Sequence, residues 1–154
     1  EPHMQQLNLP PQPLRLRKNE KSIQVLDALR HRFVALTPEE WVRQNFVSFL
    51  ITGRQFPAAL MANEVSLMQN GIKRRCDTLV TDRSGNPLVI VEYKAPSIAI
   101  TQKVFDQIVR YNMVLRARYL MVSNGMAHFC CKIDYEKNSY AFLPDIPCYN
   151  DLLT

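Results

Sequence analysis

Two carboxylates and one lysine, Asp77, Glu92 and Lys94, lie in two β-like segments of this chain of 154 residues. If Ser84-Gly85 forms a two-residue hairpin loop, the two segments pair so that Asp77 faces Glu92. Lys94 follows Glu92 by two residues, and residues two apart in a strand share a face. The spacing therefore predicts that the three charged groups meet at one end of a hairpin. A longer loop or a bulge would change this pairing.

The chemistry that suits this trio is the binding of a divalent cation. Like charges that face each other destabilise a strand pair, and Mg²⁺ would relieve the repulsion while sharing its remaining positions with phosphate oxygens. A lysine beside the cation can orient or help deprotonate water, or stabilise charge that develops on phosphate. The alternative is an exposed sheet end, where the carboxylates pair with Lys94, Arg74 or Arg75. The apolar run Leu88–Val91 weighs against it, because such runs are typical of strands buried on both faces.

Two helices are predicted around these strands. Thr37-Pro38-Glu39-Glu40 has the form of a capping box, with threonine at the N-cap, proline at the first helical position and glutamate at the third. Apolar residues then recur at three- and four-residue spacing to Ile51, and Gly53 can end the helix. A second apolar stripe predicts a helix over Thr101–Leu115.

Short β-like segments separated by turn signals make up most of the remaining chain. The strands predicted for the main sheet are Ala62–Gln69, Arg74–Thr81, Leu88–Lys94, Tyr119–Ser123, His128–Asp134 and Ser139–Phe142. Upstream, Leu14–Lys18 suits a short edge strand. Ser22–Phe33 fits either a strand or a helix, with helical spacing slightly favoured. The order of helix, three strands, helix and further strands predicts a mixed α/β domain.

Length and composition predict a single domain over residues 14–154. Residues 1–4 read as a cloning remnant that ends at a native Met4, and the proline-rich residues 5–13 are typical of a flexible arm. We expect neither a membrane span nor a signal peptide, and the lack of a G-x-x-x-x-G-K-[ST] loop excludes an ATP-driven motor on this chain. The 4 cysteines have no C-x-x-C spacing, which favours buried thiols in a reducing compartment over zinc.

The net charge of +5 hints at an anionic partner. Part of it comes from Lys73-Arg74-Arg75, which either holds phosphates beside the acidic pair or forms a solvated strand entrance opposite Asp77. The basic stretch 15–21 is more typical of a solvated face.

Asp77, followed by Glu92-Tyr93-Lys94 at the end of an apolar strand, resembles the D…(D/E)-x-K signature of the PD-(D/E)XK nuclease superfamily. Gln107 and Tyr111 form a Q-x-x-x-Y on the next helix, where i, i+4 spacing puts both on one face. The wider text, from TPEEWVRQ through NGIKRRCDTLVTDRSGNPLVIVEYKAP to TQKVFDQIVRYN and YLMVSNG, resembles the N-terminal nuclease domain of type I restriction enzyme R subunits. This resemblance covers about residues 30–145.

The resemblance implies a restriction-endonuclease-like αβββαβ core with flanking helices and a Mg²⁺-dependent DNA endonuclease, with Mn²⁺ as a substitute. It implies that Asp77 and Glu92 hold the metal and that Lys94 serves the catalytic step. Gln107 and Tyr111 would then help to position DNA or the site.

Other roles implied by the resemblance are less specific. The first-helix glutamate of the superfamily could be Glu40 as a further metal ligand, although Glu40 is also the capping partner of Thr37, and Glu64 is a rival. Cys76 stands where the superfamily often has proline. The residues expected to bind DNA are Lys73, Arg74 and Arg75.

The expected partner is DNA, together with a second copy of the chain or restriction-modification subunits, in the cytoplasm and without a membrane. Full R subunits continue into a helicase-like motor, so this chain is an excised domain or a free-standing relative, and Met4 with the closing residues favours the second. The alternative function is a non-catalytic DNA-binding or subunit-interaction module on the same fold. The sequence does not separate RNA or branched DNA from duplex DNA as substrate.

Overall fold

A small antiparallel sheet opens the computed structural model, which describes residues 4–154. Its strands, paired in chain order, are β1 (Leu16–Lys18), β2 (Ile23–Asp27) and β3 (Arg32–Ala35). The edge strand predicted near Leu14–Lys18 is therefore confirmed, and the helical preference for Ser22–Phe33 is wrong.

The reversal between β2 and β3 explains that error. The Asp27 carboxylate accepts hydrogen bonds from the backbone N–H groups of Leu29 and Arg30, each at 2.8 Å. His31 then adopts a left-handed φ of 56°. An aspartate that binds the backbone two and three residues ahead offers the chain a turn in place of a helix, and this competition overrides the spacing of the apolar residues.

The main sheet of the described chain has six strands in chain order. They are β4 (Met61–Gln69), β5 (Ile72–Thr81), β6 (Pro87–Tyr93), β7 (Tyr119–Ser123), β8 (His128–Asp134) and β9 (Ser139–Phe142). The pairing of β6 with β7 is parallel and the other pairings are antiparallel. The mixed α/β class predicted from the element order is confirmed.

One helix covers each face of this sheet. Helix α1 (Pro38–Gly53) packs Phe46 and Leu50 against the face that carries Val91, and helix α2 (Gln102–Asn112) packs against the opposite face. β6 is buried on both faces, as its apolar run predicts. The order α1, β4, β5, β6, α2, β7 matches the expected αβββαβ core.

The starts of both helices follow their N-caps. The Thr37 hydroxyl accepts a hydrogen bond from Glu40 N–H at 3.0 Å, and the Thr101 hydroxyl caps α2 in the same way. Single turns of 3₁₀-helix lie at Ala58–Leu60, Met113–Leu115 and Tyr149–Leu152. The helix predicted to reach Leu115 thus ends in one of these tighter turns.

The hairpin between β5 and β6 has the predicted register at its acidic end, but its loop differs from the predicted one. Asp82 N–H donates to the carbonyl of Asn86 at 2.9 Å, so the loop contains three residues and not the predicted two. A register shift between Val80 and Thr81 compensates, and Val80 faces Val89 as predicted. The bulge absorbs the extra loop residue before the strands reach the acidic end.

The flexible arm predicted for residues 5–13 is instead packed against the domain. Asn8 N–H donates to the carbonyl of Gly125 at 2.8 Å, and the Trp41 indole donates to the carbonyl of Gln5 at 2.8 Å. The Ser48 hydroxyl donates to Gln12 at 2.6 Å, and Leu9 packs against the core. These partners are far away along the chain, so the composition of the arm alone does not reveal them.

The cloning remnant expected at residues 1–4 falls almost wholly on residues 1–3, which lie outside the described residues. In residues 4–154, no helix is both long enough and apolar enough to cross a membrane. All 4 cysteines are free thiols, three of them buried.

Candidate functional site

Asp77 and Glu92 lie where β5 and β6 separate. The backbone ladder between these strands ends at the pair Thr78–Val91. Beyond it, side chains replace the ladder, since Asp77 Oδ2 accepts a hydrogen bond from Tyr93 N–H at 2.9 Å. Glu92 Oε2 accepts one from Asp77 N–H at 3.1 Å. The two carboxylates are therefore held across the opening between the strands, as the predicted register requires.

Each of these carboxylates keeps one oxygen available. Asp77 Oδ1 and Glu92 Oε1 accept no hydrogen bond from the residues that the structure describes. Burial and the neighbouring Asp77 charge raise the pKa of Glu92 to about 8. Burial also raises the pKa of Asp77, against the Tyr93 N–H and the positive charges nearby. A cation bound between two such carboxylates would lower their pKa values and favour the ionised form of both.

Lys94 follows directly after β6. Its backbone N–H donates to the carbonyl of Ser123 at 2.9 Å, which continues the parallel pairing towards β7. Its ammonium group makes no ion pair within 4.0 Å in the described chain, yet its charge lowers the pKa values of both Asp77 and Glu92. A half-buried ammonium group is thus positioned near the acidic pair without forming an ion pair with either carboxylate.

A buried arginine joins three elements behind this pair. The Arg43 guanidinium on α1 donates to Glu40 at 2.7 and 3.0 Å, to Glu64 Oε2 at 2.6 Å and to the carbonyl of Asp77 at 3.0 Å. Burial alone would lower the pKa of Arg43, but the hydrogen bonds that it donates to Glu40 and Glu64 outweigh burial and raise the pKa. Arg43 therefore stays charged and ties β4 and β5 to α1.

Glu64 occupies an irregular position in β4. The pairs Asn63–Thr78 and Val65–Cys76 flank it, and its own φ is 56°. This left-handed conformation costs a non-glycine residue free energy, and such strain concentrates at functional sites. Burial would raise the pKa of Glu64, but its hydrogen bonds to the two arginines, Arg43 and Arg75, lower it.

Glu40 is fully engaged in this structure. Its carboxylate binds the Arg43 fork and also accepts a hydrogen bond from the Gln44 amide at 2.7 Å. The reciprocal half of the capping box is missing, because Thr37 N–H donates to the carbonyl of Ala35. The Glu40 side chain thus forms an ion pair with Arg43 in place of the expected capping hydrogen bond to Thr37 N–H. Its role as a metal ligand stays a prediction.

Gln107 and Tyr111 both lie exposed on α2, on the face of the sheet opposite α1. The Arg74 guanidinium stacks over the Tyr111 ring at 4.5 Å. The basic segment therefore divides: Arg74 turns to α2, Arg75 pairs with Glu64, and Lys73 is exposed. The functional roles of these residues stay predictions.

The donor set fits Mg²⁺ better than a metal that needs a protein cage. No group of three or more His, Cys, Asp or Glu side chains in residues 4–154 is arranged to hold a metal. Mg²⁺ needs only one or two carboxylates, because it keeps several waters and takes further oxygens from phosphate. A polar cavity of about 250 Å³ lies beside Asp77, between Glu40, Arg43 and Glu64.

Arg43 and the conformation of Glu64 were not predicted from the sequence. The one available signal for Arg43 is its i, i+3 spacing from Glu40, which also describes an ordinary surface ion pair on a helix. Nothing in the β-like segment around Glu64 indicates a left-handed residue, since only glycine, asparagine or aspartate commonly signals that conformation.

Fold and site together define a class: a mixed α/β domain with two carboxylates and a lysine at the splayed ends of adjacent strands. Residues 38–147 match the family model described as type I restriction enzyme R protein N terminus (HSDR_N), and the chain belongs to this family.

A solved structure supports the fold. The chain is similar to a fragment of a protein described as an HsdR subunit of a type I restriction enzyme from Vibrio vulnificus YJ016. The TM-score is 0.53 and the sequence identity 19%, over 76% of this chain and 24% of that chain. This chain thus spans about a quarter of the length of that relative. No curated protein matches it.

Proposed function

We propose that this domain hydrolyses DNA phosphodiester bonds with the help of Mg²⁺, for which Mn²⁺ can substitute. The observation that carries the proposal is the pairing of Asp77 with Glu92 at the opening of β5 and β6, with one free oxygen on each carboxylate. Membership of the R-subunit family supports it.

Asp77 Oδ1 and Glu92 Oε1 would hold the ion. When bound, Mg²⁺ supplies a Lewis acid for phosphate oxygens and lowers the pKa of a bound water. Tyr93 N–H and Asp77 N–H fix the other carboxylate oxygens, so the donors are oriented before a ligand arrives. Pre-oriented donors need no reorganisation during the reaction.

Lys94 would act on the phosphate or on the attacking water. Its ammonium group is free of ion pairs in the described chain and half-buried, so it can donate to an oxygen that gains negative charge in the transition state. Lys73, Arg74 and Arg75 would hold flanking phosphates, and Gln107 and Tyr111 would line the approach from α2. Partner subunits or a second copy of the chain would complete duplex cleavage, because one site cuts one strand.

One observation favours a second candidate, a DNA-binding or subunit-interaction module without its own activity. Glu64, the third carboxylate of the site, is neutralised by two arginines. If catalysis needs Glu64 free, this chain alone would bind DNA without cutting it.

Cleavage of end-labelled duplex DNA, single-stranded DNA and RNA with Mg²⁺, Mn²⁺ or EDTA separates the two candidates. We expect metal-dependent cutting that falls by a factor of about a hundred or more in Asp77→Ala and Lys94→Ala. Asp151→Ala, which removes an exposed carboxylate far along the chain, is the matched control. DNA binding without cutting in every metal would support the non-catalytic module instead.

A further inference from the structure

The β4–β5 hairpin extends beyond the rest of the sheet. Residues 65–69 pair with residues 72–76, whereas pairing of β5 with β6 begins only at Thr78. Asn70 and Gly71 form a two-residue loop in which both φ angles are positive, 51° and 77°. Such a loop matches the right-handed twist of the strands that it joins.

The tip exposes two large apolar side chains. Met68 is 66% exposed and Ile72 is 55% exposed, the two highest values among the large apolar residues described. Met68 faces Lys73 and Ile72 faces Gln69, so the two side chains project from opposite faces of the ribbon. Further down the hairpin, Val65 and Leu67 pack against the core below α2. The exposed tip is therefore supported by a fixed base.

Charge identifies the partner that this tip suits. Residues 65–76 contain three cations and no acidic residue: Lys73 is exposed and has no ion pair in the described chain, Arg74 stacks on Tyr111, and Arg75 is exposed but pairs with Glu64. Cations around an apolar tip complement a polyanion that also presents apolar groups within a groove. The major groove of duplex DNA does so, because it admits a two-stranded β-ribbon and displays the C5-methyl group of each thymine.

The separation between the tip and the candidate site allows one DNA duplex to contact both. Ile72 and Asp77 are five residues apart on β5, which corresponds to about 16 Å along a strand. The major groove is about 12 Å wide. A ribbon tip in the groove and a backbone phosphate at Asp77 can therefore belong to one duplex.

We propose that the β4–β5 hairpin tip enters the major groove and that Met68 and Ile72 contact base edges, thymine methyl groups among them. This inference rests on the proposed function, because it takes duplex DNA as the substrate. It assigns the base-contacting surface to side chains that the D…E-x-K and Q-x-x-x-Y patterns do not include.

The test compares DNA binding with and without thymine methyl groups. Fluorescence anisotropy in Ca²⁺ measures binding to a 30-base-pair thymine-rich duplex and to the same duplex with uracil in place of thymine. We expect wild type to lose about fourfold in affinity for each contacted methyl group that is removed. We expect Met68→Ser/Ile72→Ser to bind the thymine duplex about tenfold more weakly and to respond little to the uracil exchange.

Two controls distinguish contact at the tip from general effects. Met126→Ser removes an exposed methionine from the β7–β8 turn and should bind both duplexes as wild type does. Lys73→Ala should weaken binding to both duplexes equally and reduce the salt dependence by about one phosphate contact. The apolar double variant should leave the salt dependence unchanged and keep a native circular dichroism spectrum, since both of its side chains are exposed.

Unchanged DNA affinity in the double variant would overturn the inference while leaving the nuclease proposal intact, and would point to a protein partner for the tip. An equal loss on both duplexes would also overturn it, because the thymine methyl groups would then play no part. No binding by wild type to any DNA would overturn the proposed function together with this inference.

Discussion

Asp77 and Glu92 place two carboxylates in a half-buried opening, where burial raises the pKa of both, the Asp77 charge raises that of Glu92 further and the Glu64 charge that of Asp77. The two free oxygens make the pair a candidate metal site. Without a cation, the same carboxylates destabilise the folded protein. Lys94 reduces this cost only in part, because it makes no direct ion pair with either carboxylate. The residues that carry the proposed chemistry are thus expected to trade stability for function.

Glu92→Gln should stabilise the metal-free protein. The folded-state pKa of Glu92 is raised to about 8 from its ordinary 4.5, so the folded state binds more protons than the unfolded chain between these values. Stability contributed by this group therefore falls as pH rises through that window. In EDTA, thermal unfolding should show a Tm advantage for the variant that grows with pH across that window.

Glu136→Gln, in an exposed turn, is the matched control and should show no such trend. A Tm for Glu92→Gln that equals or falls below that of wild type at alkaline pH would contradict the expected repulsion.

Lys94→Met should separate chemistry from metal binding. Loss of a group that transfers or stabilises charge in the transition state typically lowers the rate by a factor of about 10² to 10⁴. Removal of a positive charge should not weaken Mg²⁺ binding measured by titration calorimetry. Lys103→Met on exposed α2 serves as control, and a joint loss of cleavage and Mg²⁺ binding would show that Lys94 only supports the structure.

The sequence predicts these residues because the chemistry of facing carboxylates depends on strand register, which hydrophobic patterning and turn signals largely determine. It does not predict Arg43, since the contacts of that side chain arise from the docking of α1 against β4 and β5. Long-range docking of this kind leaves no fixed spacing in the chain.

Ion pairs and hydrogen bonds join several elements around the site. Arg43 links α1 to β4 and β5, and Asp27 links the small sheet to β4 through the Asn63 amide at 3.1 Å. Thr78 extends this polar chain to the Tyr93 hydroxyl at 2.9 Å. The first sheet is therefore coupled to the strand that carries Glu92.

Arg43→Met should be strongly destabilising. It removes the closer ion-pair partner of the buried Glu40 and leaves only Arg30, at 3.7 Å; loss of one partner of a buried pair typically costs about 3–5 kcal/mol. Arg75→Met, which removes the exposed partner of Glu64, should cost no more than about 1 kcal/mol. Urea unfolding of both variants measures the difference. Equal losses would mean that Arg43 is no more important to the fold than a surface cation.

Asp27 should make the protein sensitive to acid. Burial raises its pKa, but hydrogen bonds from Arg30, Asn63 and Leu29 outweigh burial and lower it below the ordinary 3.8. A group of this kind stabilises the fold above the unfolded pKa and loses that contribution as pH falls through the folded pKa. The free energy of unfolding should drop below about pH 4 in wild type and drop less in Asp27→Asn.

The matched control for this acid effect is Asp134→Asn, because Asp134 accepts the same type of turn hydrogen bonds at a more exposed position. If Asp27→Asn follows the wild-type pH curve, the Asp27 network does not supply the acid-labile stability.

Hairpin register shows how far prediction reaches at this scale. The pair Leu79–Ile90 is predicted correctly, although the loop contains three residues and the two-residue loop Ser84-Gly85 does not occur. A bulge offsets the loop error because the buried faces of β5 and β6 determine the pairing more strongly than the turn does. The β2–β3 hairpin was not predicted, because the turn formed by Asp27 and His31 overrides the helical spacing of the apolar residues.

At the scale of the whole molecule, the packed N-terminal arm and the two sheets enclose the core while the β4–β5 hairpin remains exposed. His128 Nε2–H donates a hydrogen bond to the carbonyl of Asn8 at 2.8 Å, so the arm closes over the β7–β8 end of the sheet. The charge of +5 is partly concentrated at Lys73-Arg74-Arg75, between the hairpin tip and the candidate site. The described residues present one such site, so we expect cleavage of single strands in separate encounters.

Conversion of supercoiled plasmid by the purified chain tests the central claim most directly. With Mg²⁺ we expect nicked circles to form first and linear DNA later, with no product in EDTA and a loss of about a hundredfold or more in folded Asp77→Asn. Cutting that persists in EDTA, or proceeds at the wild-type rate in Asp77→Asn, would contradict the account.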